Sequence, residues 1–310
     1  MSTILVTGGA GFIGSHVVDA YVAEGHRVVI LDDLSTGKAE FVNPKAVFYR
    51  ESIASPAIAE IFDKEKPDVV NHLAAQIDVR KSVEQPLFDA ETNVLGSLNL
   101  LECCVKYKVG KLIFASTGGA IYGEVDSLPV SEAVQPHPIS HYGAAKFAVE
   151  NYIFVYGALY GLKYTILRFP NVYGPRQNPH GEAGVCSILV QKMLAGEPPT
   201  LFGFGDPIRD YVFVGDIARG CVLALDKGDG ATVNLGSCVG TSVRQLFDIL
   251  KSHIGFKLDP VLKPIRPGEI HGIYITGDRA RETLGWIPQV SLEDGLAQVV
   301  DYVRHSSPGH

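Results

Sequence analysis

The chain has 310 residues, 46% of them hydrophobic and 20% charged, and its formal net charge is −7. This composition is typical of a globular protein with a substantial core, and it excludes a fibrous or disordered chain. The negative charge leaves no general basic surface for nucleic acid or a membrane, so neither is expected as a partner.

Short apolar runs alternate with helix-length segments over roughly the first 170 residues. Runs that are apolar throughout are typical of strands buried on both faces of a parallel sheet. The predicted strands are Ile4–Thr7, Arg27–Leu31, Val47–Tyr49, Asp68–Leu73, Lys111–Ser116 and Tyr164–Arg168. The predicted helices are Phe12–Glu24, Pro56–Glu65, Glu91–Lys106 and His141–Tyr160. This order predicts an α/β fold built on a doubly wound parallel sheet.

The chain changes character after Pro170, where several prolines surround one helix predicted near Val185–Ala195. They indicate a smaller and more irregular lobe. Asn234–Gly236 is predicted as a late strand that returns to the first sheet. We therefore expect domains at 1–170 and 171–310, with a returning segment near 211–240.

A glycine-rich segment, Gly8–Gly14, lies between the first predicted strand and the first predicted helix. Its spacing suits a tight turn that brings a pyrophosphate close to the helix N-terminus, and it predicts contacts from Gly8, Gly11, Phe12, Ile13 and Gly14. The second strand ends before Asp32, whose carboxylate would accept the adenine-ribose hydroxyls. Because Asp32 and Asp33 would repel a 2′-phosphate, NAD is expected rather than NADP. A simple turn cap is the alternative for Asp32.

Tyr142 and Lys146 are four residues apart in a predicted helix, so their side chains share one face. A nearby ammonium lowers the pKa of a phenol, which makes Tyr142 a candidate general base. Tyr107 and Lys111 have the same spacing, but Tyr107 is predicted at a helix end, away from the strand C-termini where parallel sheets bind ligands. Ser116–Thr117 follows such a strand end, where a hydroxyl can bond a substrate alcohol.

Further segments complete a recognisable set: His72–Ala75, Ser116–Gly123, Tyr142–Lys146, Arg168–Arg176, Arg209–Val212 and Leu284–Trp286. With the glycine-rich segment, they resemble the extended short-chain dehydrogenases/reductases, specifically NAD-dependent nucleotide-sugar epimerases acting on UDP-galactose and UDP-glucose. The resemblance runs from the first strand to about Tyr302. It implies a Rossmann sheet, a smaller mixed C-terminal substrate-binding lobe, NAD as cofactor and a UDP-sugar as substrate.

The resemblance also implies roles for individual residues. Cofactor contacts are implied for Ile53, Leu73, Ala74, Ala75, Asn93, Ser116, Tyr142 and Lys146. Substrate contacts are implied for Thr117, Tyr142, Asn171, Thr200, Phe202, Arg209 and Arg266, with the two arginines on the diphosphate. Thr117, Tyr142 and Lys146 are the implied catalytic residues. A homodimer is implied as well, through Glu91–Lys106 and His141–Tyr160. The chain departs from the family pattern at His141, where a proline is usual.

Gly118 and Gly119 follow Thr117 where related dehydratases and decarboxylases place an acid. Glycine cannot transfer a proton, whereas epimerisation needs only a reversible hydride and one proton. We expect transient oxidation at sugar C4, a 4-keto intermediate that swings about its diphosphate, and hydride return to the opposite face. Another nucleotide-sugar epimerase, a dehydratase, reductase or decarboxylase, and a non-catalytic NAD-binding regulator stay open as alternatives.

Five cysteines, an odd number at irregular spacing, predict neither a disulfide framework nor a zinc site. They are Cys103, Cys104, Cys186, Cys221 and Cys238. We expect free thiols in a reducing cytoplasm and no bound metal. No signal peptide is predicted from the first residues, and no segment has the apolar length of a membrane span.

Overall fold

The computed structural model describes residues 1–179, 184–265 and 270–306. The strands in these ranges are β1 (Thr3–Thr7), β2 (Arg27–Leu31), β3 (Val47–Tyr49), β4 (Val69–His72), β5 (Lys111–Thr117), β6 (Lys163–Phe169), β7 (Asn171–Tyr173), β8 (Thr200–Phe202), β9 (Ile208–Phe213), β10 (Ala231–Asn234), β11 (Gly240–Ser242), β12 (Val261–Lys263) and β13 (Gly272–Ile273). The α-helices are α1 (Phe12–Ala23), α2 (Ile58–Glu65), α3 (Val79–Glu84), α4 (Pro86–Ala90), α5 (Gly96–Lys106), α6 (His141–Tyr160), α7 (Val185–Leu194), α8 (Val214–Leu223), α9 (Val243–Ile254), α10 (Asp278–Leu284) and α11 (Leu292–Ser306).

The largest sheet in the described ranges has seven parallel strands in the order β10-β6-β5-β4-β1-β2-β3. Successive strand residues point to opposite faces, so Ile4 and Val6 lie in one buried cluster and Leu5 in another. The first cluster includes side chains of α1, α7, α8, α9 and α11, and the second includes those of α2, α5 and α6. Helices therefore cover both faces, which confirms the predicted doubly wound α/β fold.

The six strands predicted in the first 170 residues are confirmed, each end within one residue of its predicted position. Helix α6 also follows its prediction. The side chain of Ser140 accepts a hydrogen bond from the backbone N–H of Gly143 at 3.1 Å, and the helix ends at Gly161 with φ +70°. The predicted helix at Glu91–Lys106 is wrong in its first turn, because Glu91–Leu95 is π-helical and α5 begins at Gly96.

The chain after residue 170 is more regular than its prolines indicated, because it contains helices α8 to α11 besides the predicted α7. In the described residues, β9 pairs with β7, β11 and β13, and β8 pairs with β12. The late strand is present as β10, which begins three residues and ends two residues earlier than predicted, and it pairs with β6. The domain boundary at 170 stays a prediction. Among the described helices, none has the length and apolar sequence that crossing a membrane requires.

Candidate active site

The glycine-rich segment forms a tight turn between β1 and α1. Gly8 has φ +70°, and a Cβ there would lie 2.8 Å from the backbone nitrogen of Ala74. A Cβ on Gly14 would lie only 2.0 Å from the carbonyl oxygen of Gly8. Among the described residues no side chain caps the start of α1, and its first turn, Phe12 and Ile13 included, holds no acidic residue. This N-terminus therefore fits the diphosphate of a dinucleotide.

Asp32 lies directly after β2 and links two loops. Its Oδ2 accepts a hydrogen bond from the backbone N–H of Ala10 at 2.9 Å, and its Oδ1 accepts one from Leu34 at 2.8 Å. Burial raises the pKa of Asp32. A carboxylate has about four acceptor sites, so these two bonds leave capacity for ribose hydroxyls. Asp32 thus caps the turn, as the alternative hypothesis expects, and it can also accept hydrogen bonds from the adenine-ribose hydroxyls, as predicted. Asp33 is exposed and accepts from the N–H of Ser35.

Asn93 lies in the π-helical turn and is buried. Its Oδ1 accepts from the N–H of Gln76 at 2.8 Å, and its Nδ2 donates to the carbonyl of Gln76 at 2.9 Å and to Asp89 at 3.0 Å. These bonds hold the segment after β4 that contains Leu73, Ala74 and Ala75. Ile53 is also buried, and its carbonyl accepts from Asn99 at 2.8 Å.

A buried hydrogen-bond chain connects the ends of β1 and β4 to the π-helical turn. Ser97 donates to the carbonyl of Asn93 at 2.6 Å, so the Nε2 of His72, 2.8 Å away, must donate to Ser97. The Nδ1 of His72 then accepts from Thr7 at 2.8 Å. Burial, with a smaller effect of Lys146, lowers the pKa of His72 to about 3 and keeps the ring neutral. The sequence analysis quoted His72 in a motif but assigned it no role.

Lys146 attaches α6 to the end of β5. Its Nζ donates to the carbonyl of Ala115 at 2.9 Å and lies 6.0 Å from the ring centroid of Tyr142. Burial lowers the pKa of Lys146 to about 8, against the opposing effects of Asp89 and Glu150. Burial and Asp89 raise the pKa of Tyr142. The predicted lowering of the Tyr142 pKa is therefore wrong for this arrangement, because desolvation and Asp89 favour the neutral phenol.

Two hydroxyls at the end of β5 have different partners. The Oγ1 of Thr117 accepts from the N–H of Ala120 at 3.2 Å, so its proton can still be donated to a ligand. The hydroxyl of Ser116 donates to Glu150 at 2.5 Å and is buried. Its side chain is thus bonded to α6. The alternative pair Tyr107 and Lys111 lies at the opposite end of this strand.

Four of the predicted substrate residues lie on strands after residue 170: Asn171, Thr200, Phe202 and Arg209. Asn171 is on β7, with its Oδ1 3.3 Å from the position of a Cβ on Gly119. The guanidinium of Arg209, on β9, donates to the carbonyls of Ile208 at 2.8 Å and Ile270 at 3.0 Å. Thr200 and Phe202 are half-buried at the two ends of β8. Arg266 lies outside the described residues. No cluster of metal-ligating side chains is present in the described ranges.

The chain is similar to known proteins over nearly its whole length. The chain is 42% identical to a UDP-glucose 4-epimerase of Mycolicibacterium smegmatis, over 98% of this chain and 99% of the relative. A Thermotoga maritima UDP-glucose 4-epimerase solved with UDP-glucose superposes with a TM-score of 0.97 at 50% identity, covering 98% of this chain and 99% of that one. The Thermus thermophilus UDP-glucose 4-epimerase in complex with NAD gives 0.94 at 43% identity, covering 98% and 100%. Residues 4–236 match the NAD dependent epimerase/dehydratase family, and the chain belongs to it.

Proposed function

We propose that this protein is a UDP-glucose 4-epimerase, which interconverts UDP-galactose and UDP-glucose with bound NAD. One observation carries the proposal: Lys146 fixes the helix of Tyr142 to β5 two residues before Thr117. The base, its neighbouring cation and a hydroxyl donor are therefore held at one strand end. The similarity to UDP-glucose 4-epimerases over nearly the whole chain supports the same reaction.

The residues present fit NAD. The N-terminus of α1 with Gly8, Gly11 and Gly14 would hold the diphosphate, and Asp32 would bind the adenine ribose. Asn93 would hold the Leu73–Ala75 segment in place, and this segment would contact the cofactor. When bound, NAD would supply the redox chemistry of the reaction, as the acceptor and later the donor of the hydride of sugar C4.

The protein's own contribution is to move one proton and to orient the sugar. Tyr142 would remove the proton of the 4-hydroxyl and later return it, acting as general base and then as general acid. Thr117 would orient the same hydroxyl through its remaining proton. The Lys146 ammonium would stabilise the phenolate electrostatically and also bind the nicotinamide ribose. Gly118 and Gly119 offer no second acid, which favours epimerisation over loss of water.

The sugar must turn while its nucleotide stays in place. Asn171 and Arg209 would hold the diphosphate, since a guanidinium suits phosphate oxygens, and Arg266 would join them. Thr200 and Phe202 would line the uracil. In this arrangement the intermediate can present either face to the cofactor without leaving the protein.

Product analysis tests the proposed reaction. Purified protein is incubated with UDP-galactose, without added reductant, and the nucleotide sugars are separated and identified by NMR. We expect an equilibrium mixture with UDP-glucose, and a parallel reaction with UDP-N-acetylgalactosamine shows whether N-acetylated sugars are accepted. A product that has lost water or carbon dioxide would indicate a dehydratase or decarboxylase. No conversion by protein that contains NAD would contradict the proposal.

We also propose a homodimer formed through α5 and α6. Several large apolar side chains are exposed on α4, on the π-helical turn before α5 and on α6: Leu87, Leu95, Phe154 and Leu159. Burying such a patch against a second copy would remove it from water. Phe154→Glu should convert a dimer to a monomer in analytical ultracentrifugation, while Leu258→Glu, an exposed residue elsewhere, should leave it dimeric. A monomeric wild type would refute the proposal.

We further propose a cytoplasmic location, because all five cysteines are free thiols and four of them are buried. Free thiols persist in a reducing compartment. Cell fractionation with an antibody against the protein tests this, and recovery from a membrane or extracellular fraction would contradict it.

A further inference from the structure

A buried ion pair lies beside the candidate catalytic residues and has no part in the chemistry proposed above. Glu150 of α6 and Arg168 of β6 each expose only 6% of their side chains. The Nη2 of Arg168 donates to Oε2 of Glu150 at 2.6 Å, and its Nε donates to Oε1 at 3.0 Å. The pair is thus held in a two-pronged geometry that fixes the orientation of both groups.

Glu150 connects α6 to the residue before Thr117. Tyr142, Lys146 and Glu150 are spaced by four residues and therefore share one face of the helix. Oε1 of Glu150 also accepts the hydroxyl proton of Ser116 at 2.5 Å. Since Lys146 bonds the carbonyl of Ala115, α6 holds two consecutive residues of β5 just before Thr117.

Arg168 connects the same pair to β10 and, through Val130, to Ile275. Its Nη1 donates to the hydroxyl of Tyr122 at 2.8 Å, and Tyr122 donates to Oδ1 of Asn234 at 2.8 Å. The Nδ2 of Asn234 donates to the carbonyl of Val130 at 3.3 Å. Val130 forms a β-bridge with Ile275, whose side chain lies against Gly118. This chain of contacts therefore extends from Arg168 to Ile275, which covers the turn after Thr117.

The ion pair is not expected to add much to the stability of the fold. Removing two charges from water costs more than their attraction readily returns, and an apolar pair of similar volume is often as stable. Its four directed hydrogen bonds, two within the pair and one each to Ser116 and Tyr122, instead set the relative positions of β5, α6 and the Val130–Ile275 contact. The carboxylate of Glu150 also opposes the lowering of the Lys146 pKa by burial.

We propose that Glu150 and Arg168 are positioning residues for epimerisation, an inference that rests on the proposed function. Through Ser116, Glu150 sets Thr117 relative to the Tyr142 base. Through Tyr122 and Asn234, Arg168 sets the Val130–Ile275 contact beside Gly118, next to where the sugar would bind. The Ser116 contact and the Tyr122 contact predict separable kinetic effects, because the first acts on the reacting hydroxyl and the second on substrate binding.

Variants that each remove one hydroxyl group separate the Ser116 contact from the Tyr122 contact and leave the ion pair in place. Ser116→Ala should lower kcat for UDP-galactose about tenfold with KM nearly unchanged, as expected for one lost contact to a charged group. Tyr122→Phe should raise KM several-fold with kcat nearly unchanged. Thr165→Val is the matched control, because it removes a buried hydroxyl from the far part of β6 that bonds only backbone carbonyls of residues 227 and 228. It should alter neither parameter.

The ion pair itself is tested by combining two substitutions. Glu150→Gln should lower both kcat and the unfolding temperature, because it leaves the Arg168 charge unpaired. Adding Arg168→Met should restore the unfolding temperature but not kcat. Recovery of kcat together with stability would show a merely structural pair and overturn the proposal, as would unchanged kinetics in Ser116→Ala and Tyr122→Phe. A wild type that contains NAD but does not turn over UDP-galactose would refute the proposed function, and the positioning role with it.

Discussion

The side-chain amide of Asn93 forms two hydrogen bonds with the backbone of Gln76. The N–H of Gln76 donates to Oδ1 of Asn93 at 2.8 Å, and Nδ2 of Asn93 donates to the carbonyl of Gln76 at 2.9 Å. The π-helical turn that holds Asn93 directs this amide toward the segment after β4. The same Nδ2 also donates to Asp89. One buried side chain thus links the segment after β4, which is proposed to contact the cofactor, to α4, which holds Asp89.

Asn93→Asp tests this link with little change in shape. It replaces a donor by an acceptor that faces the carbonyl of Gln76 and the carboxylate of Asp89, so both contacts become repulsive. We expect a loss of about 2–3 kcal/mol in the free energy of unfolding, and less NAD released when the purified protein is denatured. Asn151→Asp, on the exposed side of α6, is the control and should change neither quantity. Full NAD content in Asn93→Asp would contradict the proposed role.

Tyr142→Phe removes only the phenol oxygen. Because a positioned general base contributes about 10²- to 10⁴-fold to rate, kcat for UDP-galactose should fall by a factor in this range. The bound NAD and the unfolding temperature should stay close to those of the wild type. Steady-state kinetics and the absorbance of NAD released on denaturation measure both quantities. Near-normal turnover would remove Tyr142 as the base.

The pKa of Tyr142 is raised by burial and by the buried carboxylate of Asp89. Asp89→Asn removes that charge while keeping an oxygen that can accept from Gln76 and Asn93. The phenolate then becomes less unfavourable, so the pKa of Tyr142 falls, and the pKa of Lys146 falls too because Asp89 raises it. The profile of kcat/KM against pH should therefore move to lower pH. An unchanged profile would show that Asp89 does not act on the base.

His72 predicts how stability depends on pH. Its pKa is about 3 in the folded protein, whereas an unfolded histidine has a pKa of about 6.5. Below pH 6.5 the unfolded chain binds a proton that the folded protein excludes, so the free energy of unfolding falls as the pH drops toward 3. The loss from this residue between pH 7 and pH 5 is about 2 kcal/mol.

His72→Asn should be less stable at pH 7, because it cannot bridge Thr7 and Ser97, but it should lose less stability between pH 7 and pH 5. Urea unfolding at three pH values measures the difference from the wild type. His253→Asn, which removes an exposed imidazole, should keep the wild-type slope. The same slope in His72→Asn and the wild type would contradict a buried neutral ring.

Local patterns predicted six strands of the large sheet because each of them carries its own apolar run. They also located Tyr142 and Lys146, whose pairing depends only on helix geometry. They missed the π-helical turn, which depends on the contact of Asn93 with Gln76 across the fold. The pKa direction of Tyr142 was wrong for a similar reason, since burial and the approach of Asp89 are tertiary features. Short strands such as β7 depend on pairing with β9, some 40 residues later.

In the proposed reaction, one hydride leaves sugar C4 and returns to it within a single active site. UDP-galactose carrying deuterium at C4 tests it directly, when it is incubated with purified protein and no added NAD. We predict UDP-glucose that retains the deuterium at C4, by NMR and mass spectrometry, with no deuterium in the solvent. Loss of the label to water, or a product formed by elimination, would contradict the account.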